Sequence, residues 1–492
     1  MTTKLSAAAL GHLPANVAGP KYDHAALTTG ILHFGVGNFH RAHQAVYLDD
    51  LFNQGRDHDW ALIGAGVFDG EKAGRQKLAE QDFLTTVVEQ DEGHMQARVT
   101  AAMTDFLIPG DTNGIISRLA DPKIRIVSLT STEGGYFIDP ASGKFNPGHP
   151  DIVSDAASPT APKTVFGLIL AGLARRRTEG TPAFTVMSCD NIPHNGHVTA
   201  DAVIGLARLS DPDFARWVAE NVAFPNGMVD RITPATTDRE RKLLVEEFGV
   251  EDNWPVFCEP FRQWVLEDNF PTGRPALEKV GVTFVEDVSP FELMKIRILN
   301  GGHATIAYPA GLMDIHFVHE AMQEPLVRGF LARLEREEII PTVPPVPGVV
   351  LEDYFQLIEK RFSNPRIGDT VRRLCLDGSN RQPKFIIPTI TDRLKAGKGV
   401  AGLALESALW CRYCFGTTDS GAVIEANDPN WERLQKTARA AKDDPAAWLG
   451  MDDIYGEVGR SPAFAQKFAH ALQTLWKIGT AETLKRYLGD TL

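Results

Sequence analysis

No stretch of the sequence stays apolar long enough to cross a membrane. The longest run, "TVFGLILAGLA" from Thr164 to Ala174, is about half of the 20 or so residues a span requires, and it reads as a buried helix. The amino-terminal "MTTKLSAAALGHLP" has a single Lys and an apolar stretch too short for a signal-peptide core, so the expectation is a cytoplasmic protein without a membrane partner. Cysteine is scarce. Cys189, Cys258, Cys375, Cys411 and Cys414 are an odd, sparse set that suits free thiols in a reducing compartment better than a disulfide framework. Cys411 and Cys414 form a lone C-x-x-C with no second pair and no His at zinc spacing, which reads as packing. His40 and His43 in "FHRAH" lack the Glu of the metalloprotease pattern, and no metal site is expected. There is no block of Lys and Arg, and the net charge of -13 argues against a nucleic-acid surface. Internal repeats and low-complexity tracts are absent as well.

What remains is a globular pattern: 492 residues, 43% apolar and 23% charged, enough for two or three domains. "GILHFGVGNFHRAHQAVYLDDLF" opens with an apolar run, turns at glycines and continues as an amphipathic helix in which Ala42, Val46, Leu48 and Leu51 can face a core. Further short apolar runs, "WALIGAGVF", "IRIVSLTST" and "AFTVMSCDN", alternate with helical stretches at 112–120 and 163–177. This βαβ alternation predicts a parallel, doubly wound sheet. Past residue 285 strand signals thin out and long amphipathic segments take over. The fold class is therefore α/β, with a Rossmann-type domain over residues 1–285 and a mainly α-helical domain over 286–492. "IIPTVPPVPGVV", residues 339–350, is too rich in Pro for regular helix and is expected to cross the surface of the second domain.

Several motifs carry chemistry. Gly35 and Gly37 directly follow the first strand, where glycine permits a tight turn and close approach of backbone to a pyrophosphate. The fingerprint is incomplete, since its third position holds His40, and a plain tight turn stays an alternative. The second strand ends near Asp69, whose carboxylate suits the ribose hydroxyls of NAD, while Lys72 and Arg75 leave NADP open. "MSCDNIPHNG" delivers Asp190, Asn191 and His194 at the carboxyl end of a strand, as either a ligand site or a strand-ending turn. "FPNGMVDRITP" places Asp230 beside Arg231, which also reads as a buried structural pair.

"MKIRILNGGHATIAYP", residues 294–309, sets Lys295, Asn300 and His303 around Gly301 and Gly302. Ser289, Pro290 and Glu292 before it predict a helix start with a capping box. On an α-helix Asn300 lies about 140° and His303 about 80° around from Lys295. All three then share one side, with Ile296 and Leu299 packing on the other and Pro309 marking the helix end. The two glycines would let a flat ring or substrate approach the backbone. Lys295 has no obvious carboxylate four residues away and is expected to have its pKa lowered by desolvation, as a general base requires. Asn191 and Asn300 are neutral donors suited to an alkoxide.

"GVGNFHRAHQA", "TEGGY", "MSCDN", "VDRITP", "MKIRILNGGHA" and "DGSNRQPKF" together resemble the polyol-specific long-chain dehydrogenases, the mannitol 2-dehydrogenase family that includes the fructuronate reductases. The resemblance spans residues 31 to about 390. It implies metal-independent, NAD-linked oxidation of a secondary alcohol, with Lys295 as base, Asn191 and Asn300 as oxyanion hole, His303 orienting substrate and Glu292 passing the proton to water. It also implies that Asp230, Arg373, Arg381 and Lys384 line the substrate site, Arg381 standing where the mannitol enzymes often have Lys. Gly35, Gly37, Asn38, Phe39, Asp69 and Glu133 would line the cofactor. Three alternatives stand beside this one: a fructuronate reductase using Arg373, Arg381 or Lys384 for a carboxylate, a sugar-phosphate dehydrogenase, and an NAD-binding sensor without turnover. The absence of a long heptad or apolar stripe points to a monomer or weak dimer.

Overall fold

The computed structural model describes residues 2–131, 133–139 and 143–492, without the Glu133 side chain. Five short segments form parallel strands: β1 (Thr29–Phe34), β2 (Ala61–Ala65), β3 (Met103–Phe106), β4 (Ile126–Leu129) and β5 (Thr185–Ser188). Their order is β3-β2-β1-β4-β5, with every neighbour parallel. This is the strand order of a dinucleotide-binding Rossmann sheet. Side chains alternate across it. Leu32 and Phe34 of β1 enter one core with Ile115, Leu119 and Leu168, whereas Ile31 enters another with Leu48, Leu51 and Phe52. Both faces are covered by helices, which explains why the strands read as continuous apolar runs.

Helix Thr112–Ala120 falls on the expected residues. The apolar run at Thr164 becomes helix Val165–Glu179, closed by Gly180 in the left-handed region. The amphipathic helix after the glycine turn is broken into α1 (Asn38–Ala42) and α2 (Gln44–Asn53) at His43. Three further sheets among the described residues escape the βαβ reading: a four-stranded one around the hairpin Thr85–Gln90 and Met95–Thr100, a three-stranded one containing Gly227–Asp230, and a two-stranded one pairing Thr3–Lys4 with Val250–Glu251.

The chain divides into two compact units, residues 1–289 and 290–492. The second is built from helices, and no named strand falls among its described residues. Helix α3 (Gly301–Leu312) continues through Pro309 and does not end before it. Pro309 has no N–H to donate one turn back, but α3 is buried along nearly its whole length, and that packing outweighs the lost bond. Within residues 339–350, Ile339 ends a π-helix (Glu335–Ile339) and a short turn of 3₁₀-helix (Ile340–Thr342) follows, with Val343 and Val346 buried and Val350 exposed. Helices α4 (Gly378–Phe385) and α5 (Ala401–Cys414) follow, and α5 packs along the terminal helix Pro462–Leu488.

All five cysteines are free and buried. Burial pushes every thiol up, Cys258 and Cys375 to about 12. His40 and His43 do not converge as ligands, since His40 stacks on His33 at 3.6 Å and His43 bonds through Nε2 to the Gln263 carbonyl at 2.9 Å. Among the described residues no three His, Cys, Asp or Glu side chains form a cluster able to hold a metal.

Candidate functional site

In the first unit the glycine turn is built as its positions require. Gly35 has φ +88°, and a Cβ there would lie 2.1 Å from the Thr130 carbonyl oxygen. Thr130 Oγ1 also donates to the Gly35 carbonyl at 2.7 Å, fastening the end of β1 to the residue after β4. Gly37 precedes α1 as its N-cap, and a Cβ there would meet nothing nearer than 3.8 Å, so the backbone lies open. Asn38 turns its amide to the protein, donating to the Pro234 carbonyl at 3.1 Å and accepting from Arg41 at 2.8 Å. Phe39 is half-buried and stacks on His43. His40 fills the place of the missing third glycine. Burial holds its imidazole well below the ordinary value, so it is neutral.

Asp69 lies just past the carboxyl end of β2, with its side chain 91% exposed and 2.7 Å from Lys72 Nζ. The hydrogen bond to Lys72 and its charge hold the carboxyl below its usual range. An open groove of about 500 Å³ beside it is lined by Lys72, Arg75, Gln76 and Ile108. Past β5, Asp190 is a clamp: its carboxylate accepts from the Ser131 N–H at 2.8 Å and the Tyr136 hydroxyl at 2.6 Å. The next residue, Asn191, is exposed, and His194 adopts φ 52° at the start of helix Asn195–Ser210. Asp230 ends strand Gly227–Asp230 and is buried. Arg231, also buried, pairs with Glu89 at 2.5 Å and donates to the Glu259 carbonyl at 3.0 Å. Glu133 begins a short 3₁₀-helix, Glu133–Tyr136, and its side chain lies outside the described residues.

In the second unit the decisive feature is one the sequence reading did not contain. Lys295–Asn300 is a π-helix, inserted between helix Ser289–Met294 and α3. The Gly301 N–H donates to the Ile296 carbonyl five residues back. This wider turn stacks residues five apart, so Asn300 comes over Lys295 instead of lying about 140° away as on an α-helix. Packing differs accordingly, with Ile298 fully buried and Ile296 only half-buried. The helix begins at Ser289, whose N–H is received by the Asp287 carboxylate at 2.9 Å. Glu292 and Lys295 are both buried.

Gly301 and Gly302 do not open the backbone to a ligand. A Cβ on Gly302 would meet Glu335 Oε1 at 3.3 Å and the Phe362 ring at 3.4 Å, and one on Gly301 the Phe385 carbonyl at 3.7 Å. Protein fills that side, and the glycines let helices close on each other. His303 stacks on Phe362 at 4.2 Å. Its pKa is lowered to about 3 by burial and then by Arg373, so it is neutral. His303 Nε2 and Asn300 Oδ1 are buried with no hydrogen-bond partner among the described residues. Arg373 is gripped by Asp369 through two parallel bonds, Nε donating to Oδ1 at 2.5 Å and the terminal nitrogen to Oδ2. Arg381 on α4 donates to the Leu374 carbonyl at 3.1 Å, and Lys384 is exposed on the same helix. Phe362, Asp369 and Tyr136 were not singled out from the sequence. The i,i+4 spacing of Asp369 and Arg373 and the "TEGGY" motif were the available signals.

A 3-2-1-4-5 parallel sheet with an open glycine turn, followed by a helical unit carrying Lys295, Asn300 and His303, is the architecture of a two-domain, dinucleotide-dependent oxidoreductase. Residues 29–279 match the mannitol dehydrogenase Rossmann domain, and residues 287–476 match the mannitol dehydrogenase C-terminal domain. A mannitol 2-dehydrogenase from Cereibacter sphaeroides is 60% identical over 474 residues, covering 96% of this chain and 99% of that protein. One from Neosartorya fischeri is 41% identical, covering 94% of each. The Pseudomonas fluorescens mannitol 2-dehydrogenase in ternary complex with NAD and D-mannitol superposes with a TM-score of 0.88 at 43% identity, covering 99% of this chain and 100% of that one. A D-sorbitol dehydrogenase in substrate-free form gives 0.90 at 35% identity, covering 98% and 100%. The chain belongs to the mannitol dehydrogenase family.

Proposed function

We propose that this NAD-dependent polyol dehydrogenase oxidises D-mannitol to D-fructose, with D-arabinitol and D-sorbitol as further candidates, and that Lys295 is the general base. The observation that carries the assignment is the π-helical turn that stacks Asn300 over Lys295, together with the unpartnered buried atoms of Asn300 and His303. NAD, when bound, supplies the hydride acceptor. On the chain's side, the tight turn at Gly35 and the open backbone at Gly37 fit a diphosphate, with Asn38 and Phe39 beside it, and Asp69 fits a ribose diol. Glu133 is assigned to the same site.

In the oxidation Lys295 Nζ takes the hydroxyl proton, and the amides of Asn191 and Asn300 donate to the oxygen left behind. Hydride then leaves the carbon, and the alkoxide oxygen becomes a carbonyl. His303, neutral and held flat by Phe362, orients a substrate hydroxyl. Glu292, three residues before Lys295 and buried, passes the proton onward to water. Asp230, Arg373, Arg381 and Lys384 hold the remaining hydroxyls. Arg373 also favours a polyol over a sugar acid, because its charge is already matched by the two bonds to Asp369. A neutral hydroxyl can still accept from it, whereas a second carboxylate would have to compete with the first.

The test is NADH formation from mannitol, sorbitol and arabinitol with NAD or NADP, with and without a chelator. Turnover of mannitol with NAD that persists with chelator is expected. Failure with every polyol alongside NADH oxidation by fructuronate would move the assignment to the sugar-acid reductases.

A further inference from the structure

Gln382 lies next to Arg381 on α4 but is turned inward and almost fully buried. Its Nε2 donates at 2.6 Å to Oε1 of Glu406, a carboxyl in the middle of α5 with no exposed surface. Gly378, one turn earlier on the same face of α4, approaches so closely that a Cβ would fall 2.6 Å from Trp410 Nε1 and 2.8 Å from the Tyr308 hydroxyl of α3. The titratable groups facing Glu406 are Tyr308 from α3 and Tyr455 from helix Asp452–Gly459, and Cys411 of α5 faces Tyr455 in turn. No ion pair to Glu406 occurs among the described residues, where Gln382 Oε1, Glu406 Oε2 and Ser407 Oγ are buried without a well-aligned bond, although the Ser407 hydroxyl lies close to the carboxyl and the Tyr308 hydroxyl close to Gln382. The cluster is a polar knot behind the helix that presents Arg381 and Lys384.

We propose that the Glu406–Gln382 pair positions α4 for substrate, and that ionisation of Glu406 weakens polyol binding. This rests on the reading of Arg381 and Lys384 as substrate contacts. The neutral acid suits the apolar surroundings, and its O–H can serve one of the orphaned acceptor oxygens. A carboxylate there has no cation and only two neutral donors, the Gln382 amide and the adjacent Ser407 hydroxyl, so it must draw water and disturb the seat of Gln382. Burial raises the Glu406 carboxyl to about 8, which places the change inside the range where alcohol oxidation is run. Gln382 and Glu406 are positioning residues, acting through Arg381 and Lys384 and not on the reacting atoms.

The experiment measures kcat and KM for mannitol between pH 6 and 10 in the wild type, Glu406→Gln and Gln382→Met, with melting curves at each pH. The wild-type KM is expected to climb several-fold above pH 8 while kcat does not fall with it, and Glu406→Gln to flatten the KM profile. Gln382→Met is expected to raise KM across the whole range, and more than it changes kcat. It decides the question if Glu406→Gln fails to fold. In the melting curves the wild type should lose stability relative to Glu406→Gln between pH 5 and 8, where the folded chain holds a proton the unfolded chain has released. Parallel KM profiles in wild type and Glu406→Gln, or an unchanged KM in Gln382→Met, would overturn the proposal. If no polyol is oxidised at all, the functional reading fails and the coupling to substrate falls with it. The melting comparison would still report whether Glu406 titrates in the folded protein.

Discussion

Asn300 keeps a buried amide oxygen with no donor, and His303 a buried ring nitrogen with no partner, among the described residues. Each such group costs about 1–3 kcal/mol, and both sit on the segment that carries Lys295. Asn300→Ala is expected to lower kcat by about 10²–10³-fold without lowering the melting temperature, while NADH affinity, read by fluorescence, holds. A matching loss of NADH affinity would assign Asn300 to the cofactor. Glu335, opposite Gly302, is fully buried with neither oxygen partnered among the described residues, and burial pushes its carboxyl well above the usual range. Its stability contribution is intact below the unfolded carboxyl value of 4.5 and is lost as pH rises toward the folded value. Glu335→Gln should therefore raise the melting temperature, and by more at pH 8 than at pH 5. An equal gain at both would mean that the folded carboxyl is already ionised at pH 5.

At the scale of elements, the turn joining β1 to α1 is the least tolerant place in the first unit. Gly35→Ala combines a left-handed φ of +88° with a Cβ 2.1 Å from the Thr130 carbonyl oxygen. The expected cost is about 2–4 kcal/mol, read as a lowered denaturation midpoint together with lost NADH binding. A fully stable variant would show that the turn can re-form. β1, β2, β4, β5 and the helices at 112–120 and 165–179 were legible because a buried parallel strand or a packed helix leaves a periodic apolar signal. β3 and the hairpin at 85–100 were not. Their half-polar "MTDF", "TTVVEQ" and "MQARVT" are too short and mixed to stand out. The candidate site residues could be nominated from type, spacing and resemblance, but their arrangement could not. Nothing local in "KIRILN" separates a π turn from an α turn, because one extra residue in a helix is selected by tertiary packing. The glycine pair was misread for a related reason: what fills the space beside Gly302 is Glu335, a residue 33 positions away.

The whole molecule has a direction with pH. A protonated Lys295 cannot accept a proton, so mannitol oxidation should rise from pH 6 to 10, with fructose reduction favoured nearer neutrality. An oxidation profile flat over that range would remove Lys295 from the role of base, and Lys295→Ala should abolish turnover while NADH still binds. The reading as a monomer or weak dimer predicts a one-chain mass in light scattering at low micromolar concentration. The five buried thiols offer a different view of the same chain. Cys189 and Cys258 belong to residues 1–289, and Cys375, Cys411 and Cys414 to residues 290–492. An intact molecule hides all of them, and a thiol reagent can label one only when the surrounding core opens. Labelling followed by peptide mapping would thus clock the breathing of the two units separately, two natural reporters in one and three in the other, without a probe being introduced.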